Sequence, residues 1–113
     1  TSSIKLIRSV MIKGMEALAA ECLIAAARAD VVDEVMTSLG PDWATKADYH
    51  LDRMMRHGLR RAAEMEEAAA TLEALGMAPE MTRGTVARQR EIGRAAIEPV
   101  PEGLAAKLER LVA

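Results

Sequence analysis

The stretch SIKLIRSVMIKGMEALAAECLIAAARA, residues 3–29, decides the fold class. Within it Ile4, Ile7, Met11, Met15, Leu18, Cys22, Ala25 and Ala29 follow one another in steps of three and four. That spacing marks one face of an α-helix, in which about 3.6 residues complete a turn. Leu6, Val10, Leu23 and Ile24 fall on the remaining surface, so the helix is apolar nearly all round. Such a helix is expected at the centre of a domain, buried among others. Thr1, Ser2 and Ser3 offer hydroxyls to cap its first turn.

The rest of the chain repeats the helical pattern in shorter pieces. Asp33 to Leu39 reads as a short helix ended by Gly40-Pro41. Asp42 can cap a helix carrying Trp43, Ala47, Leu51, Met54 and Met55, and the pair His57-Gly58 predicts a kink or break. The pattern resumes from Leu59 to Leu75, with Arg60 and Glu64 at pairing distance on the polar face. Gly76 is the expected C-cap and Pro79 the restart of an Arg-rich helix from Glu80 to about Ala96. A last helix is expected from Glu102 to Val112. No stretch alternates with period two. The expected fold is therefore all-α: one domain over residues 1–113, an irregular bundle of five or six helices around a long N-terminal helix.

Composition agrees. Half of the 113 residues are apolar, with eight Met, no Phe, one Trp and one Tyr. Ala, Leu and Met suit closely packed helices, whereas sheets favour β-branched and aromatic side chains. A net charge of −2 with mixed signs argues against nucleic acid as a partner, because such binders carry a basic excess and stacking aromatics. No apolar run is long enough to span a membrane. Cys22 is the only cysteine, so an intramolecular disulfide is impossible, which fits a reducing, cytoplasmic setting. Asp48, His50 and Asp52 can line one helix face, but the pattern is too weak to imply a metal, and none is expected.

The chemistry worth following lies on the first helix. Lys5, Arg8, Ser9, Lys13 and Glu16 fall within one face, and Lys5 and Ser9 are one turn apart, close enough to meet one small ligand. From periodicity alone the simpler reading is a solvated face whose long cations snorkel from buried stems.

The run Ser3 to Gly14, with Ala20-Glu21-Cys22 further on, resembles the start of the C-terminal domain in β-hydroxyacid dehydrogenases, the group related to 6-phosphogluconate dehydrogenase. That family opens its interdomain helix with a catalytic Lys and an Asn four residues later. Lys5 matches the Lys, Ser9 stands in place of the Asn, and Glu21 matches a helical Glu. The run Met54 to Met65 resembles the family's Lys-Asp-Leu helix, with His57 near its Lys. The likeness is strongest to a branch with a phosphogluconate-dehydrogenase-like C-terminal domain, from Ser2 to about Arg90. Ile12 departs from the pattern, standing where 6-phosphogluconate dehydrogenases have a Glu proton donor.

The resemblance implies an NAD(P)-dependent oxidoreductase acting on a small hydroxy acid, inactive as this piece alone. Lys5 would be its proton-transfer group, a base only when neutral, a state favoured in a water-poor cleft beside Arg8 and Lys13. Ser9 would hold the substrate hydroxyl or carboxylate, and His57, Arg60 or Arg61 would pair with its anionic group. For Arg60 and Arg61, pairing with Glu64 and Glu67 on their own helix is an equal alternative. NAD or NADP would be bound by the chain's own Rossmann domain upstream, since no Gly-x-Gly-x-x-Gly turn occurs here. A homodimer is also implied. The competing expectation is a non-catalytic helical dimerisation or scaffold module, with Met-rich surface for a partner helix.

Overall fold

The computed structural model describes residues 2–113. Five helices follow in order: α1 (Ser2–Arg28), α2 (Val32–Leu39), α3 (Trp43–Ala74), α4 (Glu80–Arg94) and α5 (Leu104–Val112). There is no strand among the described residues. The capping role expected of Thr1 and of the Ser2 hydroxyl lies outside what is described, and Ser3 is already inside α1.

The helix ends obey local rules. At the end of α3 the Gly76 N–H donates to the Glu73 carbonyl at 2.9 Å and the Met77 N–H to the Leu72 carbonyl at 3.2 Å. This is the Schellman arrangement, and it needs the left-handed backbone that Gly76 adopts at φ +87°. Asp30 does the same after α1 at φ +58°, with the Asp30 and Val31 N–H groups donating to the Ala27 and Ala26 carbonyls. Aspartate tolerates that region better than most side chains.

One expected break does not exist. α3 runs without interruption through His57-Gly58. Gly58 marks a helix crossing instead: a Cβ there would lie 2.4 Å from the Gln89 carbonyl oxygen, and a Cβ on Gly93 would lie 2.5 Å from the Leu59 N. Two glycines thus let the backbones of α3 and α4 touch. A glycine in a helical run signals a bend or a close approach equally well, and the sequence does not say which.

α3 and α4 form an antiparallel hairpin, with ion pairs Arg83–Glu73 near its turn and Arg90–Glu66 further along. α1 lies antiparallel to α3. Its second half packs Ala17, Ala20 and Leu23 with Ala47, Leu51 and Met54 of α3, while Leu6 and Val10 pack on Ala62, Met65 and Val86. α5 closes the bundle through Leu108 and through Lys107, whose almost fully buried ammonium donates to Asp48 at 2.6 Å.

The expectation that α1 is buried all round is corrected by the structure. Its buried side is that of Glu16, Ala17, Ala20 and Leu23. The periodic face is open: Ile4 is 72% exposed, Met11 64% and Leu18 61%. The other four helices suffice to cover one side of α1, and nothing in the described chain covers the other.

Candidate functional site

Lys5 is exposed in the first turns of α1, and the Ser9 hydroxyl donates to the Lys5 carbonyl at 3.0 Å. This back-bond within the helix commits the serine proton and leaves its oxygen as an acceptor. The polar stripe expected from Lys5 to Glu16 is split by the fold. Glu16 is only 3% exposed and faces inward, because α1 sinks between α3 and α4 as it proceeds.

Glu16 is the centre of a buried polar link. One carboxylate oxygen accepts from Arg61 Nη1 at 2.5 Å and the other from Gln89 Nε2 at 2.9 Å, joining α1, α3 and α4. Gln89 also donates to the Lys13 carbonyl at 3.3 Å and is fully buried. Sequence reasoning missed this link, although an isolated acid on an apolar helix was its signal. Arg61, expected to contact substrate or to pair along its own helix, is instead held across the bundle by Glu16.

The remaining expected contacts form a separate patch. Arg56, His57 and Arg60 surround the Gly58–Gly93 crossing. The His57 imidazole is held below its ordinary pKa by partial dehydration, then by the charges of Arg60, Arg53, Arg61 and Arg56. Asp52 anchors the other side, accepting from Arg56 Nε at 3.0 Å and from Arg53 at 2.9 Å. Burial raises the Asp52 pKa, but these hydrogen bonds and charges outweigh it and leave the carboxyl below its usual value.

The two patches do not meet. The Glu16–Arg61 bond shows where α1 and α3 are level. From there Lys5 is eleven residues back along α1, about 16 Å, and His57 is about 6 Å the other way, because the helices are antiparallel. A small hydroxy acid cannot touch both in one chain.

Asp48 and Asp52 are paired with Lys107, Arg53 and Arg56, and no group of three His, Cys, Asp or Glu side chains suited to a metal occurs among the described residues. No described helix is long and apolar enough to cross a membrane.

A family model described as a domain of unknown function (DUF1932) matches residues 26–92, more than half of the chain. The chain belongs to the DUF1932 family. DUF1932 domains are found at the C-terminus of NAD(P)-binding oxidoreductases. The match covers the His57–Arg60 patch and Gly58 of the crossing, whereas Gly93 lies just past it and Lys5 and Ser9 lie before it. The fold is also similar to the crystal structure of a conserved hypothetical protein from Sinorhizobium meliloti 1021, with a TM-score of 0.90 and 38% identity. That similarity covers 97% of this DUF1932 chain and 40% of the relative, so the chain spans about two fifths of the relative's length. No curated protein matches.

Proposed function

We propose that this chain is the C-terminal domain of an NAD(P)-dependent oxidoreductase that transfers a hydride between a small hydroxy acid and a nicotinamide cofactor. Family membership supports the oxidoreductase part of the reading, since DUF1932 domains are found at the C-terminus of NAD(P)-binding oxidoreductases, and the hydroxy acid comes from the resemblance around Lys5. The exposure of Lys5, with Ser9 one turn further on the same side of α1, supports a place for both at a cleft with another domain.

In this reading the Lys5 amine takes the hydroxyl proton on oxidation and returns it on reduction. When substrate binds, the Ser9 hydroxyl turns from the Lys5 carbonyl to donate to the substrate hydroxyl oxygen, which leaves that hydroxyl's own proton directed at the Lys5 amine. Arg61 stays outside the site as the partner of Glu16, and the His57–Arg60 patch is too distant to bind the same molecule within one chain. No strand-turn-helix unit occurs among the described residues, so they do not fit a dinucleotide. NAD or NADP belongs to a Rossmann domain of the same protein, and the part of the Sinorhizobium relative outside the match leaves room for one.

The test is a screen of hydroxy acids with the full-length protein and either nucleotide, followed by nicotinamide absorbance. Turnover of one substrate class by the full-length protein, and none by the 113-residue chain alone, is expected. A full-length protein that binds neither nucleotide would end the proposal. It would favour the scaffold reading, whose one supporting observation is the open apolar face of α1.

A further inference from the structure

Between the last turns of α1, α4 and α5 lies a cavity of about 310 Å³. Its floor is apolar, made by the buried Ile92 and the half-buried Ile24 and Leu111. Each of the three helices also contributes an arginine to it: Arg28, Arg88 and Arg110.

The three arginines are not equivalent. Arg88 is held by two acids of the same cavity, its Nε donating to Glu21 at 3.1 Å and its Nη1 to Glu91 at 3.2 Å. It braces α4 against α1, and its charge is answered. Arg28 and Arg110 are exposed, and neither takes part in an ion pair or a side-chain hydrogen bond among the described residues. Three guanidinium groups against two carboxylates leave one positive charge in excess. A cation in the last turn of a helix ordinarily answers that helix's own carbonyl groups, and Arg28 and Arg110 each stand in a last turn. That accounts for each of them alone. It does not account for two such arginines, from different helices, sharing one cavity with an apolar floor.

We propose that this cavity is a ligand site for a short aliphatic monocarboxylate, with its carboxylate held by Arg28 and Arg110 and its chain laid on Ile24, Ile92 and Leu111. Each part of that ligand follows from the lining. One carboxylate matches the single excess charge, and a second would meet Glu21 and Glu91. Guanidinium groups suit it because their paired N–H donors match its two oxygens. The chain is unsubstituted because a hydroxyl laid on the floor would lose its hydrogen bonds to water. It is short because a cavity of this size lies at the lower end of those that hold small molecules. The site is separate from the proposed place of proton transfer, since Arg28 follows Lys5 by twenty-three residues along α1, about 35 Å.

The test is a titration of the full-length protein with hexanoate, followed by saturation-transfer NMR of the ligand. Hexanoate should bind with a Kd of about 1 mM or tighter. Acetate, which has no chain, and hexylamine, which has the opposite charge, should bind at least about tenfold more weakly. Arg28→Gln and Arg110→Gln should each weaken hexanoate about tenfold, the usual worth of a charged hydrogen bond. Ala25→Phe fills the cavity from an exposed position of α1 and should abolish binding, with circular dichroism unchanged. Lys5→Ala should leave the hexanoate affinity as it was. No binding at concentrations on the order of 10 mM would overturn the proposal. So would equal binding of hexylamine, or hexanoate binding that survives Ala25→Phe. Loss of binding in Lys5→Ala, with full affinity in both arginine variants, would place the carboxylate at Lys5 and overturn it as well. None of these measurements needs turnover, so the site stands or falls apart from the proposed activity.

Discussion

Gly58→Ala tests the packing account most sharply. The added Cβ would lie 2.4 Å from the Gln89 carbonyl oxygen, against 3.4 Å or more for ordinary contact, so α3 and α4 must part by about 1 Å. Both colliding groups are backbone, and neither can rotate away. Overpacking of this kind costs about 3 kcal/mol, the upper part of the usual range, because separating the helices also loosens neighbouring contacts. Alanine returns about 1 kcal/mol through its higher helix propensity. The net expectation is a loss of about 2 kcal/mol, or roughly 8 °C in Tm for a domain of this size. Gly93→Ala should behave alike, its Cβ falling 2.5 Å from the Leu59 N. Gly84 supplies the control. It lies in the same helix, and a Cβ there meets nothing within 4 Å. Gly84→Ala should therefore gain about 1 kcal/mol. Urea and thermal unfolding followed by far-ultraviolet circular dichroism separate the two cases. If Gly58→Ala raised Tm as Gly84→Ala does, backbone contact at the crossing would be refuted.

Glu16→Gln should cost about 3 kcal/mol in urea unfolding, because Arg61 would keep its charge in a nearly buried place without a counter-ion; a neutral result would show that water already screens the pair. Ala96 holds φ +50° after α4, so Ala96→Gly should raise stability by about 1 kcal/mol, whereas a loss would mean that the methyl group contributes packing. The His50 imidazole is held below its ordinary pKa, chiefly by burial, with Glu16 opposing and Lys46 reinforcing, and its Nδ1 has no partner. The unfolded chain therefore binds the proton more readily. The stability tied to neutral His50 is complete above about pH 7 and is lost as pH falls through the folded pKa. Stability should decline as pH falls below about 7, less steeply in His50→Gln, and equal slopes in the two proteins would remove His50 as a cause.

Much of the fold was legible because helices announce themselves locally. Gly76 and Pro79 marked the α3–α4 turn, and the apolar steps from Leu51 to Leu72 marked the core of α3. What failed was non-local. The same three-four pattern from Ile4 to Ala29 that correctly predicted a helix could not say whether the bundle or another chain covers it. Gly58 read as a break because its partner glycine is thirty-five residues away in sequence. Arg61 read as a ligand contact because Glu16 lies forty-five residues from it. At the candidate site, the resemblance drew Lys5 and His57 together, whereas the antiparallel register of α1 and α3 sets them apart.

The most direct test of the account is the turnover of full-length protein carrying Lys5→Ala, measured at saturating hydroxy acid and nucleotide. Loss of a positioned proton-transfer group should lower kcat by about a hundredfold or more while the unfolding curve stays in place, since Lys5 is exposed and outside the core. An unchanged kcat would contradict the assignment of Lys5 and leave this domain without a part in the chemistry.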